Sequence, residues 1–132
     1  MTQRNIDVMD IIVSKMVEGA TLSKALKLVY NKRNVVIPYN EEIYSIEVTK
    51  LPMTKKTINA LMRGRLKTLG EVIEFCKCQK ITEVASLGVT SGVELFETIL
   101  DYCWDNMSQE ERVSFLIDTV ERNSEHIRHE IA

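Results

Sequence analysis

"LPMTKKTINALMRGRLKTLGEV", residues Leu51 to Val72, decides how this chain is read. Apolar positions recur at helical spacing after Thr54, and the helix they predict runs to about Met62. "TLGE", Thr68 to Glu71, then offers a capping box for a second helix. In such a box a hydroxyl receives the third helical amide, and a carboxylate three places on reaches back. Five cations, Lys55, Lys56, Arg63, Arg65 and Lys67, gather around the first helix and its exit, against one acid, Glu71.

Working outward, the rest of the chain also reads as helix. Ile6, Met9, Ile12, Val13, Met16 and Val17 fall at three- and four-residue spacings, predicting an amphipathic helix over 5–18 that Gly19 ends. A second helix is expected from Thr21 or Ser23 to about Lys32, with Leu22, Ala25, Leu26, Leu28 and Val29 as its apolar positions. "NVVIPYNEEIYSIEV" breaks the rhythm. Its β-branched run and Pro38 predict an extended connector, followed by a short helix from Asn40. Downstream, a short helix is expected around Ile81 to Ala85. Another is expected to open at Ser91 with the box "SGVE" and to run to about Cys103. "SQEE", Ser108 to Glu111, caps a final helix with Val113, Leu116, Ile117 and Val120 on one face. The expected fold class is all-α, a compact helical module with an added N-terminal helical pair and a C-terminal helix. Its parts are a pair and connector over 1–46, the module over 47–103 and the last helix over 104–132.

A chain of 132 residues is most simply one compact unit, able to bury a core without metal or disulfide. Its apolar fraction of 45% and charged fraction of 27% place it among ordinary globular proteins. The opening "MTQRNIDVMD" does not resemble a signal peptide, and no apolar run approaches the roughly 20 residues that span a bilayer. A cytoplasmic protein without membrane contact is the expectation. Cys76 and Cys78 form one C-x-C and Cys103 lies far away, short of the four ligands a structural zinc wants. His126 and His129, three apart on an expected helix, lack further ligand partners and suit a solvated helix end. Reduced thiols, no metal and no cofactor are expected. No Walker loop, dinucleotide fingerprint or nucleophile elbow occurs, so an enzyme is not expected.

The net charge of −2 hides a segregation along the chain. Residues 1–47 balance six basic against six acidic side chains. Residues 48–80 hold eight basic against two acidic, and residues 81–132 three against eleven. Such asymmetry suits an anion-binding face with acid kept elsewhere, or two regions that neutralise each other within the fold.

"SLGVTSGVELFETIL", Ser86 to Leu100, adds a second feature. A glycine, Gly88, leads by a short turn into a capped helix whose first amides lack intrahelical partners. That is the logic of a helix-hairpin-helix phosphate site. From Val48 to Leu100 the pattern resembles, without gaps, the C-terminal domain of the bacterial RNA polymerase alpha subunit. The resemblance rests on the leading Leu51–Thr54, the core "NALMRGRLKTLGEVI" from Asn59 to Ile73, and Leu87–Glu94. It implies four short helices after an irregular lead-in, binding the minor groove of A+T-rich DNA and touching transcription regulators. The family's principal DNA-contacting arginine falls on Lys56, and its asparagine contact on Asn59. Its backbone-contacting glycine and serine fall on Gly88 and Ser91. Lysines usual before that serine are Thr90 and Val89 here. Lys56 and Asn59 lie three apart on one helix face, Arg63 extends the stripe, and Lys55 and Arg65 add charge.

"MVEGATLSKALKLVY" looks loosely like the first two helices of a helix-turn-helix, but "VVIPYN" stands where the third would be. A pair packed on the central module, or pairing two subunits, is expected instead. The last helix either closes the core or forms a dimer contact, with Trp104 anchoring its start. The expected function is a small DNA-binding accessory or transcription-regulatory protein of a bacterium or mobile element. A module that keeps the fold, has lost the DNA surface and binds RNA polymerase or a transcription factor is the alternative.

Overall fold

The computed structural model describes residues 1–30, 37–39, 41–78 and 89–129, the side chains of 76–78 and 89–92 excepted. The expectation of an all-α chain holds. Helices α1 (Gln3–Val17), α2 (Leu22–Val29), α3 (Lys55–Arg63), α4 (Leu69–Cys78), α5 (Val89–Asp105) and α6 (Gln109–Arg122) follow in order. Single 3₁₀ turns at Glu41–Ile43 and Val48–Lys50 lie between α2 and α3. Among the described residues there is no strand, only isolated antiparallel bridges at Tyr30↔Ile127 and Glu47↔Thr68. No helix among them is long and apolar enough to cross a membrane. The short helix expected at Ile81–Ala85 falls outside the described residues.

The backbone groups into two compact units. One joins Met1–Pro38 to Trp104–Ala132, and the other is Tyr39–Cys103. The segregation of charge along the chain does not survive this grouping. The first unit carries nine basic and ten acidic side chains and the second eight and nine, so each nets −1.

In the first unit α1 packs on both α2 and α6. Thr2 caps α1 by accepting the Asn5 amide at 3.2 Å, and Thr21 caps α2 by accepting that of Lys24 at 3.3 Å. Val8 and Ile12 of α1, Leu22, Ala25, Leu26 and Val29 of α2, and Phe115, Leu116 and Val120 of α6 are buried. The apolar face read on α1 is only partly core: Ile6, Val13 and Val17 stand exposed. The expected run of α2 to Lys32 is also corrected. The helix ends at Val29, and Tyr30 turns into extended backbone with ψ 152° to meet Ile127. There Arg128 closes the helix end. Its amide donates to Val29 O at 2.8 Å, and its Nε donates to Lys27 O at 2.9 Å and Tyr30 O at 3.2 Å. A cation on the last carbonyls of a helix completes their hydrogen bonds and suits the negative end of its dipole. Asn5, itself buried, donates to Ser124 Oγ at 2.8 Å and fastens the start of α1 to the chain just after α6.

In the second unit the lead-in to α3 is pinned by backbone. Val48 N–H donates to Lys67 O at 2.9 Å, Leu69 N–H to Ile46 O at 2.8 Å and Gly70 N–H to Tyr44 O at 3.0 Å. Gly70 is required here, because a Cβ would sit 2.9 Å from both Tyr44 Cβ and Tyr44 O. The core collects Val48, Leu51, Ala60, Leu61, Leu66, Leu69, Val72, Leu95, Ile99 and Leu100.

Candidate functional site

Helix α3 has one face in the core and one in solvent. Thr57, Ala60 and Leu61, at helical spacing, are buried. Lys55, Lys56, Asn59, Met62 and Arg63 are therefore left outward, and all are exposed. Thr54 caps the helix by accepting the Thr57 amide at 3.4 Å. None of Lys55, Lys56, Arg63 or Arg65 makes an ion pair among the described residues.

A carboxylate from α5 holds the head of this helix. Glu94 Oε1 accepts the Thr54 amide at 3.1 Å and the Thr54 hydroxyl at 3.2 Å. Burial raises the Glu94 carboxyl, but bonds from the Thr54 amide and the Thr57 and Thr54 hydroxyls outweigh it and hold the group below 4.5. The tie crosses 40 residues and brings the first turns of α5 beside the first turn of α3. It also overturns the expected capping box between Ser91 and Glu94. Helix α5 opens at Val89, so Ser91 lies inside it, and the glutamate expected to cap its own helix caps another instead. Gly88 lies outside the described residues, as does the Ser91 side chain.

The amides that would attract a phosphate are bonded within the fold at the start of α4 and in part at that of α3, where those of Thr54 and Thr57 are taken. At α3 the Glu94 carboxylate occupies the position an anion would take. At α4 the carbonyls of Ile46 and Tyr44 accept from Leu69 and Gly70, and Thr68 Oγ1 accepts from Glu71 at 3.3 Å. An anion at α3 would therefore meet the exposed side chains of Lys55 and Lys56 beside a helix start that already holds one carboxylate.

The exit of α3 is strained. Arg65 N–H donates to Met62 O at 3.1 Å and Leu66 N–H to Leu61 O at 2.8 Å, the paired bonds of a Schellman turn. The left-handed position of that turn falls on Arg65, with φ 63°, while Gly64 sits one place earlier at φ −79°. A side chain there costs about 1–2 kcal/mol relative to glycine. Leu61 and Leu66, the positions whose apolar side chains accompany such a turn, are both buried. Arg65 is thereby fixed just beyond the α3 cations.

Among the described residues no group of three His, Cys, Asp or Glu side chains is arranged to hold a metal. Cys103 is buried, and burial pushes its thiol up to about 12, so it stays protonated and unreactive at neutral pH. Local pattern revealed the exposed side of α3. It gave no sign of the Glu94 tie or the Arg65 conformation, since one needs a partner far along the chain and the other a glycine rule broken by one position. No protein-family model, no curated protein and no solved structure matches this chain.

Proposed function

We propose that this chain is a small, non-enzymatic intracellular accessory protein that binds DNA through its second unit. Lys55, Lys56, Asn59, Arg63 and Arg65 form the strand-facing side chains in this reading, with backbone contacts at Gly88 and Ser91. The resemblance to the polymerase alpha C-terminal domain supports the same residues. One observation carries the reading: Glu94 holds the first turns of α5 to the head of α3, whose cations have no ion-pair partner among the described residues. Cations and an amide on one helix face suit an A+T-rich minor groove, where they sense groove width and the acceptor pattern. The bulk of the affinity is electrostatic and falls with salt.

The test is a gel-shift series on a labelled A+T-rich duplex between about 50 and 200 mM salt. Three or four phosphate contacts give a slope of log K against log salt of about −3. Lys56→Ala is expected to reduce that slope by about one. Asn59→Ala is expected to weaken the A+T preference and leave the slope alone. Binding indifferent to salt and to both substitutions removes the proposal.

A second reading has its own support. The second unit nets −1, and Glu94 sets a carboxylate on the amide of Thr54, the residue before Lys55 and Lys56. A unit so balanced suits an interaction module for RNA polymerase or a transcription factor. Polymerase retained after nuclease treatment, with no duplex shifted at low salt, favours it.

A further inference from the structure

We propose that the first unit carries a docking groove for a helical segment of another protein, apolar on one face and flanked by lysine or arginine. Helices α1 and α6 are fastened at one end by Asn5 and Ser124. Toward the other end they leave a cleft of about 310 Å³. Met9, Val13, Met16 and Val17 form one wall, Val113 and Leu116 the other, with Trp104 and Arg112 also lining it. Val17 is 82% exposed, Val113 45% and Val13 42%, and Ile6 continues the same stripe at 38%. From Ile6 to Val17 the wall is about 17 Å long, three turns of helix. That length fits an amphipathic helix laid in a groove through residues three and four apart. The unbranched thioethers of Met9 and Met16 let the walls adjust to side chains of different shape.

Charge selects the occupant. Asp10 lies three residues before Val13 and Glu110 three before Val113, so an exposed carboxylate borders each wall. Neither makes an ion pair or hydrogen bond through its side chain among the described residues. The cations of both helices are otherwise engaged or turned away. Lys15 pairs with Glu18 at 3.5 Å, and Arg122 with Asp118 at 2.7 Å. The Arg112 guanidinium lies 5.0 Å over the Trp104 ring while its Nε donates to Trp104 O at 3.0 Å. Arg4 stands nine residues before Val13, about two and a half turns away and so on the opposite face. An apolar cleft with unpaired acid at both borders complements a helix with cationic flanks, and repels one with acidic flanks.

The probes are two fluorescein-labelled helical peptides of about four turns, one of leucine and lysine and one of leucine and glutamate. Fluorescence anisotropy with the full chain reads the affinity of each. The leucine–lysine peptide is expected to bind at least roughly tenfold tighter than its acidic twin. Val17→Asp, at a position already in solvent, is expected to weaken it about tenfold while circular dichroism stays unchanged. Asp10→Lys with Glu110→Lys is expected to reverse the preference, and Glu121→Lys with Glu125→Lys to leave it alone. Equal binding of both peptides overturns the proposal, as does indifference to Val17→Asp or to the Asp10 and Glu110 reversal. So does a concentration-dependent dimer in light scattering that Val17→Asp abolishes, because the groove would then belong to a second copy.

Discussion

Cations serve different ends in the two units. In the first, Lys15, Arg112, Arg122 and Arg128 are tied to a carboxylate, a ring or backbone carbonyls of the same unit, and only Arg4 and Lys24 among its described cations have no such tie. In the second, Lys50, Lys55, Lys56, Arg63, Arg65 and Lys67 have no ion-pair partner among the described residues. The described ties of the second unit include backbone bonds to Tyr44, Ile46 and Lys67, and the carboxylate of Glu94. A guanidinium bonded to backbone carbonyls, as in Arg112 and Arg128, cannot be offered to a ligand without loss of stability, whereas the exposed pairs of Lys15 and Arg122 brace only a turn of their own helices. Unengaged cations can be so offered, and on this difference rests the proposal that the second unit offers an anion-facing surface.

The largest expected effect tests how far the second unit depends on backbone fit. Gly70→Ala places a methyl 2.9 Å from Tyr44 O, the atom that accepts the Gly70 amide, so the backbone itself must move. A loss of about 3 kcal/mol is expected. Trp104, the only tryptophan, belongs to the first unit and gives a separate reading of it. Urea unfolding followed by far-ultraviolet circular dichroism should shift to lower denaturant, while Trp104 fluorescence changes near its original midpoint. Coincident shifts of both signals would break the division into two units.

Next comes the engaged cation. Arg128→Ala leaves the Lys27 and Tyr30 carbonyls without the guanidinium, and about 2 kcal/mol should be lost. Arg128→Lys should recover only part, since an ammonium lacks the planar fork. Here Trp104 fluorescence should follow the loss. By contrast Lys56→Ala, at an exposed and unpaired position, should leave both midpoints within about 0.5 kcal/mol.

A smaller effect has the opposite sign. Tyr30 is fully buried and its hydroxyl has no hydrogen-bond partner among the described residues. Tyr30→Phe should stabilise the first unit by about 1 kcal/mol. Burial also pushes the Tyr30 phenol from 10.0 up to about 12, so the folded form favours the protonated ring. That contribution is complete below pH 10.0 and is lost as pH rises through about 12. The gain from Tyr30→Phe should therefore widen in alkaline melts, and a constant gain would place the ring in water.

What the sequence announced and what it concealed divide along the same physical line. The Ser108–Glu111 box is present with both bonds, at 3.0 and 3.2 Å, because every atom it needs lies within one turn. At Thr68 and Glu71 the pattern also finds its place, although the Glu71 carboxylate takes the threonine hydroxyl at 3.1 Å. "SGVE" has the same letters, yet Glu94 is taken by Thr54 across 40 residues. Helix α2 stops at Val29 because Ile127 and Arg128 claim the next backbone groups from almost 100 residues away, where periodicity has no reach. The exposed side of α3 was legible because its buried side is local. The division of charge was not, since only folding sets Glu41, Glu42, Glu94, Glu97 and Asp101 in one unit with the cations.

The smallest effect sharpens the comparison most, because α1 and α3 leave through the same turn. At α1 the paired bonds run from Gly19 to Met16 O at 3.0 Å and from Ala20 to Lys15 O at 3.0 Å, and glycine takes the left-handed place at φ 112°. At α3 arginine takes it. Arg65→Gly relieves about 1 kcal/mol of backbone crowding, partly offset by the greater freedom glycine gives the unfolded chain, for a net gain of about 0.5 kcal/mol. Glycine would therefore serve the fold better, and the arginine gives stability nothing in return through any described contact of its side chain. If its guanidinium meets phosphate, Arg65→Gly should raise the thermal midpoint of the second unit and lower the salt slope of DNA binding by about one. Gly19→Ala at the matching place in α1 should only destabilise, with no effect on that slope. A stabilised variant that binds DNA as tightly as the original would remove Arg65 from the interface and leave its strain without a functional account.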